Sequence, residues 1–108
     1  MSPEALRKKI EDEIGGNWER GDRHRIDLKQ CLLPRPIQGV YENSQYRPDQ
    51  TEDPENTRLL LLWLVLKEHG DDGKYSIVYN ERTNSFGLAL GKTLIAFYGN
   101  FIDTLAAM

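Results

Sequence analysis

Apolar and polar positions divide this chain into segments of different character. The most apolar is residues 59 to 66, Leu-Leu-Leu-Leu-Trp-Leu-Val-Leu, eight hydrophobic residues with no polar break. Its flanks carry helix signals. Asp53-Pro54-Glu55 resembles an N-cap, a first-turn proline and a first-turn acid, and Lys67, His69 and Gly70 resemble a basic last turn with a glycine stop. Its middle favours a strand. A helix apolar on every side must be buried on every side, and a chain of 108 residues has little material to wrap one. A strand buried on both faces needs only one layer above and one below, and it reads as a continuous apolar run. The segments that follow tip the reading towards the strand and leave the helix open.

Asp71-Asp72-Gly73 is a turn signal. Tyr75, Ile77 and Tyr79 then alternate with Ser76, Val78 and Asn80, which predicts a strand over 74–80. Glu81-Arg82-Thr83-Asn84 gives a second turn, and 85–90 and 93–98 are further short strands. Upstream, residues 37–42 suggest a short strand, placed at a sheet edge by Gly39. Apolar runs joined by tight turns make an antiparallel meander of about four to five strands.

Helices should cover this sheet. Over 3–14, Leu6, Ile10 and Ile14 recur every fourth residue behind Ser2 and Pro3, and Gly15-Gly16 stops the run. That stripe is too narrow to make a core but suits one sheet face. Three pairs on its outer side, Arg7–Glu11, Lys8–Asp12 and Lys9–Glu13, have i,i+4 spacing. Asp27 and Gln30 have capping-box spacing and predict a short helix over 28–33, although Ile26, Leu28 and Leu32 also allow a strand. Pro34 and Pro36 should end whatever precedes them. At the C-terminus, Asn100 and Asp103 signal the cap of a final helix whose Phe101, Leu105 and Met108 share a face with Ile102 beside them. So short a helix has to dock to be stable. Residues 43–57 are polar and form a loop at the long end for a compact domain. The expected fold is therefore a single α+β domain over 1–108: an antiparallel β-meander covered by an N-terminal amphipathic helix and a short C-terminal helix.

Composition adds limits. The chain is 39% hydrophobic and 29% charged, as folded domains are. Seventeen acids against fourteen bases give a net charge of −3, which argues against nucleic acid as the main partner. One cysteine, Cys31, excludes an intrachain disulfide and fits a reducing compartment. The opening Met-Ser-Pro-Glu does not resemble a signal peptide, and the apolar run is about half of the ~20 residues that span a bilayer. The expected location is the cytoplasm, without a membrane partner.

Candidate chemistry is sparse. Gly91-Lys92-Thr93 lacks the glycine spacing of a phosphate-binding P-loop and reads as a turn. His24, His69 and Cys31 lack the close-spaced pairs of a zinc site. Cys31 adjoins Leu32 and Leu33 and reads as a buried small hydrophobe rather than a nucleophile. The acids of 49–55 lack the ligand order of a calcium loop. The expectation is therefore no catalytic, cofactor or metal residue. What remains is surface. Residues 20–35 hold Arg20, Arg23, Arg25, Lys29 and Arg35, diluted by intervening acids. Five tyrosines include Tyr46, the one least explained by packing. Arg23, Arg25 and Tyr46 are the candidate contact residues of a small protein-binding module, of the inhibitor or immunity type, with an unidentified protein partner. The alternative is a small-ligand-binding protein or enzyme with a pocket between sheet and helices, assembled from residues such as His24, Cys31, Asp103 and a tyrosine. A homodimer through a sheet edge or the Leu-rich run is a further expectation.

Overall fold

The computed structural model describes residues 1–19, 21, 26–50, 52, 53, 56–68 and 75–108. The elements run α1 (Pro3–Ile14), α2 (Leu28–Cys31), β1 (Leu32–Asn43), β2 (Leu59–Lys67), β3 (Tyr75–Asn80), β4 (Ser85–Leu90), β5 (Thr93–Gly99) and α3 (Phe101–Ala106). This is the α+β meander with a helix at each end that the sequence predicts. The Leu-rich run is a strand. Its helix-like flanks at Pro54, Glu55, His69 and Gly70 lie outside the described residues, as does the Asp71-Asp72-Gly73 turn.

Each strand pairs antiparallel with the next. The sheet then closes on itself, because β1 meets β5 through Glu42↔Thr93 and Asn43↔Leu94. That closing contact is parallel by necessity. Every antiparallel step reverses direction, so a fifth strand runs the same way as the first. Gly39 pairs with Leu62 of β2, while the contact of β1 with β5 is confined to Glu42 and Asn43, so Gly39 stands where β1 is paired on one side.

A closed sheet has an inside and an outside, and the two faces carry separate cores. The inside holds Tyr41, Leu62, Val78, Ala89 and Leu94, with Leu60, Leu64 and Phe97 partly buried around them. The outside of β2, β3 and β4 carries Trp63, Val65, Ile77, Tyr79, Phe86 and Leu88, covered by Leu6, Ile10 and Ile14 of α1 and by Phe101 and Leu105 of α3. Strand β2 is thus buried on both faces over its second half, the physical basis of its unbroken apolar run. Over its first half only the inner face is covered, and Leu59 and Leu61 are each 60% exposed.

Strand β1 departs from the path expected of it. The strand begins at Leu32 and runs through Pro34 and Pro36, which were expected to end the preceding element. The ladder explains this. Pairing with β2 breaks between Leu32↔Leu66 and Ile37↔Leu64, and both prolines sit in that irregularity, where no ladder bond is required of them. The helix before it is correspondingly shorter than 28–33. Asp27 caps it, its carboxylate accepting from the Lys29 N–H at 3.0 Å.

Both terminal helices are held as their caps suggest. Ser2 Oγ accepts from the Ala5 N–H, and Gly15 leaves α1 in the left-handed region at φ 61°. Asn100 Oδ1 accepts from the Asp103 N–H at 2.7 Å. Arg7–Glu11 and Lys8–Asp12 form at 2.9 and 3.4 Å. The third expected pair, Lys9–Glu13, gives way to a tertiary contact: Glu13 Oε1 accepts from the Phe101 N–H at 2.9 Å. One helix therefore supplies an anionic cap to the first turn of another. Among the described residues, no helix is long and apolar enough to cross a membrane.

Candidate functional site at the barrel mouth

The inner face of the barrel turns from apolar to polar at one end, where β3 finishes and β4 begins. Leu60 and Phe97 are the last apolar side chains there, and Asn80, Thr83 and Ser85 take over. Residues of the 43–57 loop lie across this opening. Between loop and barrel is a cavity of about 690 Å³, within the ~300–1,000 Å³ usual for small-molecule sites, and barrel mouths are a common place for them.

The loop is fastened by two asparagines. Asn43 ends β1, donating its backbone N–H to the Arg58 carbonyl and its Nδ2 to the Thr57 carbonyl at 2.9 and 3.0 Å, while its Oδ1 accepts from the Gln45 N–H at 2.9 Å. Asn56 Oδ1 accepts from the Arg47 N–H at 2.9 Å, and its Nδ2 donates to the carbonyls of Arg47 and Gln50 at 2.6 and 2.8 Å. One side chain thus substitutes for a strand partner and folds the loop on itself. The Ser44 N–H ties the base of the loop to β5 through the Leu94 carbonyl at 3.2 Å. Polar side chains at Asn43 and Asn56 thus hold the described part of the loop.

The floor is built differently. Asn80 is only 6% exposed, and its Oδ1 accepts from the Arg82 N–H at 3.0 Å. Asn84 takes the left-handed conformation at φ 53° to turn the β3–β4 hairpin, and its Oδ1 accepts from the Tyr79 hydroxyl at 2.6 Å. This turn brings Thr83 to the cavity, with its Oγ1 buried and without a hydrogen-bond partner. The Ser85 hydroxyl donates to the Thr83 carbonyl at 3.3 Å. Phe97 reaches the floor because its partner across the ladder is Gly87, where a Cβ would lie 2.9 Å from the Phe97 ring and 2.6 Å from the Ala96 carbonyl oxygen. Among the described lining residues, the charged ones are Arg47 and Asp53, one of each sign.

The residues singled out in the sequence fall in different places. Tyr46 lines the cavity, half-buried, with the Arg58 guanidinium 6.0 Å from its ring. Arg23 and Arg25 lie outside the described residues, as do Arg20, His24 and His69. Cys31 is a free thiol in the outer core, 5% exposed, as its apolar neighbours suggest. Asp103 is exposed in the first turn of α3. Cys31 and Asp103 are thus kept away from the cavity. Among the described residues, the outer core packs α1 and α3 against the sheet, and a cavity lies at the barrel mouth. Gly91-Lys92 is the β4–β5 turn, and the Lys92 ammonium sits 4.6 Å over the ring of Tyr41. Of the other tyrosines, Tyr41 and Tyr79 are core residues at 2% exposure, and burial raises the pKa of each hydroxyl. Among the described residues, no three of His, Cys, Asp and Glu are grouped to hold a metal ion.

Asn80, Thr83, Ser85 and Phe97 escaped the sequence reading. A signal was present in the alternation of β3. The face shared by Ser76, Val78 and Asn80 becomes the barrel interior, and a carboxamide at an inward position is unusual enough to ask what it faces. Compared with known proteins, the chain matches no family model, no curated protein and no solved structure.

Proposed function

We propose that this protein binds a small molecule in the mouth of its barrel. The observation that carries the reading is the cavity of about 690 Å³ with Leu60 and Phe97 as an apolar floor and polar residues such as Gln45, Asn80 and Ser85 among those that line it. A floor of leucine and phenylalanine supplies the desolvated surface that drives small-molecule binding. The test is a thermal-shift screen against a metabolite library, followed by amide shift mapping of the hits. Hits that move the amide signals of Asn80, Thr83 and Phe97 support the reading. Hits that map elsewhere, or a screen of folded protein without a hit, overturn it.

A second reading, a module that binds a protein partner, is supported by the outer wall of β1 and β2. Val40 and Leu61 stand directly opposite each other in the ladder with Leu59 diagonal to them, and they are 54%, 60% and 60% exposed. Exposed apolar residues in contact mark interaction surfaces more often than isolated ones do. Arg23, Arg25 and Tyr46 belong to this reading as the charged and aromatic contacts. Co-purification from the source organism tests it. A stoichiometric partner lost on Leu61→Lys supports the wall, and one retained by Leu61→Lys and by charge reversal at Arg23 and Arg25 removes both surfaces.

A further inference from the structure

We propose that two copies of this chain join through the free edge of β1, antiparallel and with Gly39 on the two-fold axis. The inference rests on the protein-binding reading of the outer wall and names its occupant, a second copy. It is independent of any ligand in the barrel mouth.

The directions of the backbone groups define the edge. Glu42 donates its N–H to the Lys92 carbonyl at 2.8 Å and so faces β5, whereas Asn43 donates to the Arg58 carbonyl beside β2 at 2.9 Å. Pairing with β2 is unbroken from Ile37 to Glu42. Successive residues of a strand turn their N–H and C=O groups to opposite sides, so Gln38 and Val40 face the same side as Glu42. Strand β5 has left β1 by then, its contact being confined to Glu42 and Asn43. Among the described residues, neither Gln38 nor Val40 forms a backbone bond outside the β2 ladder. The free edge is bounded at both ends. Pro36 has no N–H to offer, and Glu42 is already bonded. Two N–H and two C=O groups are left.

An edge bounded in this way is complementary to itself. With Gly39 opposite Gly39, Gln38 of each copy faces Val40 of the other, and the two pairs exchange four hydrogen bonds. Every free group is used. A register centred on Gln38 sets Val40 against Pro36, and one centred on Val40 sets Gln38 against the occupied Glu42, so both leave groups unpaired. The outer face adds apolar contact. Val40 lies diagonal to Val40 of the second copy, within reach across a ladder, and Leu61 stands beside it in its own chain. At 54% and 60% exposure, these residues of two copies make one strip out of two small exposed patches. A foreign extended peptide would meet the same backbone groups without a matching wall of its own.

Lys92 sets the strength. Its Nζ stands 2.8 Å from where a Cβ of Gly39 would lie and 4.6 Å over the ring of Tyr41, so it fills the inner face of the edge. Two such ammonium groups come near each other at the axis and repel. Lysine beside an edge is a common guard against unlimited pairing, and the dimer is accordingly weak and reversible.

The full chain is sedimented from about 10 µM to about 1 mM, the span in which so small an interface dissociates, with amide exchange followed over the same range. The expected result is a monomer–dimer equilibrium in which the Gln38 and Val40 amides gain protection with concentration, while those of Gly39 and Tyr41, bonded to β2, are protected throughout. Gln38→Pro removes an outward N–H and no bond to β2. The dimer holds that bond twice, so it should weaken about tenfold. Val40→Lys should weaken it as well and keeps the test valid if the proline disturbs the strand. Lys92→Met should tighten it. A monomer at every concentration, or a co-purifying partner that protects the same two amides instead, overturns the second copy and leaves the wall to the co-purification test above. A dimer that leaves the Gln38 and Val40 amides unprotected, or that survives both Gln38→Pro and Val40→Lys, overturns the edge.

Discussion

Tyr41 and Tyr79 are each 2% exposed, and burial is the largest cause raising both hydroxyl pKa values, with the Glu81 and Glu13 carboxylates adding to it at Tyr79. The consequence for stability has a definite sign. In the unfolded chain a tyrosine ionises near pH ~10, while the folded protein still holds the proton. Folding is therefore fully favoured by these groups below that pH, and the stabilisation is lost as pH rises through the folded pKa values. Urea midpoints should be flat up to about pH 9 and fall steeply beyond about pH 10. Tyr41→Phe and Tyr79→Phe together should flatten that fall, and an unchanged slope would show that other groups control it. At neutral pH, Tyr79→Phe also loses the 2.6 Å bond to Asn84, an expected cost of about 1 kcal/mol in denaturant unfolding. Gly87→Ala acts by contact. Its new Cβ would lie 2.6 Å from a backbone oxygen that cannot swing aside, so a loss of about 1–3 kcal/mol is expected, together with shifted Phe97 resonances at the cavity floor.

The elements show which parts of the fold are local and which are shared. Helix α3 has six residues, too few to be stable by itself, and its first turn is capped both by Asn100 and by Glu13 from α1. Glu13→Ala should cost about 1–2 kcal/mol and speed amide exchange in α3 more than in the strands; protection unchanged at Leu105 would refute the cap. The 43–57 loop depends on Asn56 in the same way. Asn56→Ala removes three bonds, so the loop amides should exchange faster while the barrel melts nearly as before. The sequence carried the caps at Ser2, Asp27 and Asn100 because a cap is a contact between residues two or three apart. It did not carry Glu13 to Phe101, a bond across 88 positions. The path of β1 through Pro34 and Pro36 was hidden for a related reason. Whether a proline interrupts a strand depends on the partner strand's register at that point.

At the scale of the molecule, the closed barrel creates the two faces, the two cores and the cavity. Its interior should be the most sensitive region: Leu62→Ala, at 0% exposure, is expected to cost about 2–5 kcal/mol. Leu61→Lys, the next residue but 60% exposed on the outer wall, should stay within about 0.5 kcal/mol. Equal losses at the two positions, measured by urea unfolding, would contradict the closed barrel. That contrast also marks how far the sequence reached. By itself it determined the order and type of the elements, the antiparallel meander, the covering stripe of α1 and the capped C-terminal helix. Hydrophobic periodicity, turn residues and caps are properties of neighbours along the chain. It singled out Tyr46, in the polar loop, as a partner contact, and the structure places that residue on the cavity lining. Only the tertiary structure decided that the fifth strand returns to the first, that the face of Asn80 looks inward, and that Thr83, Ser85 and Phe97 meet beneath the loop. Those facts depend on twist and on the register of five ladders, and a slip of one residue in any of them would exchange the two faces.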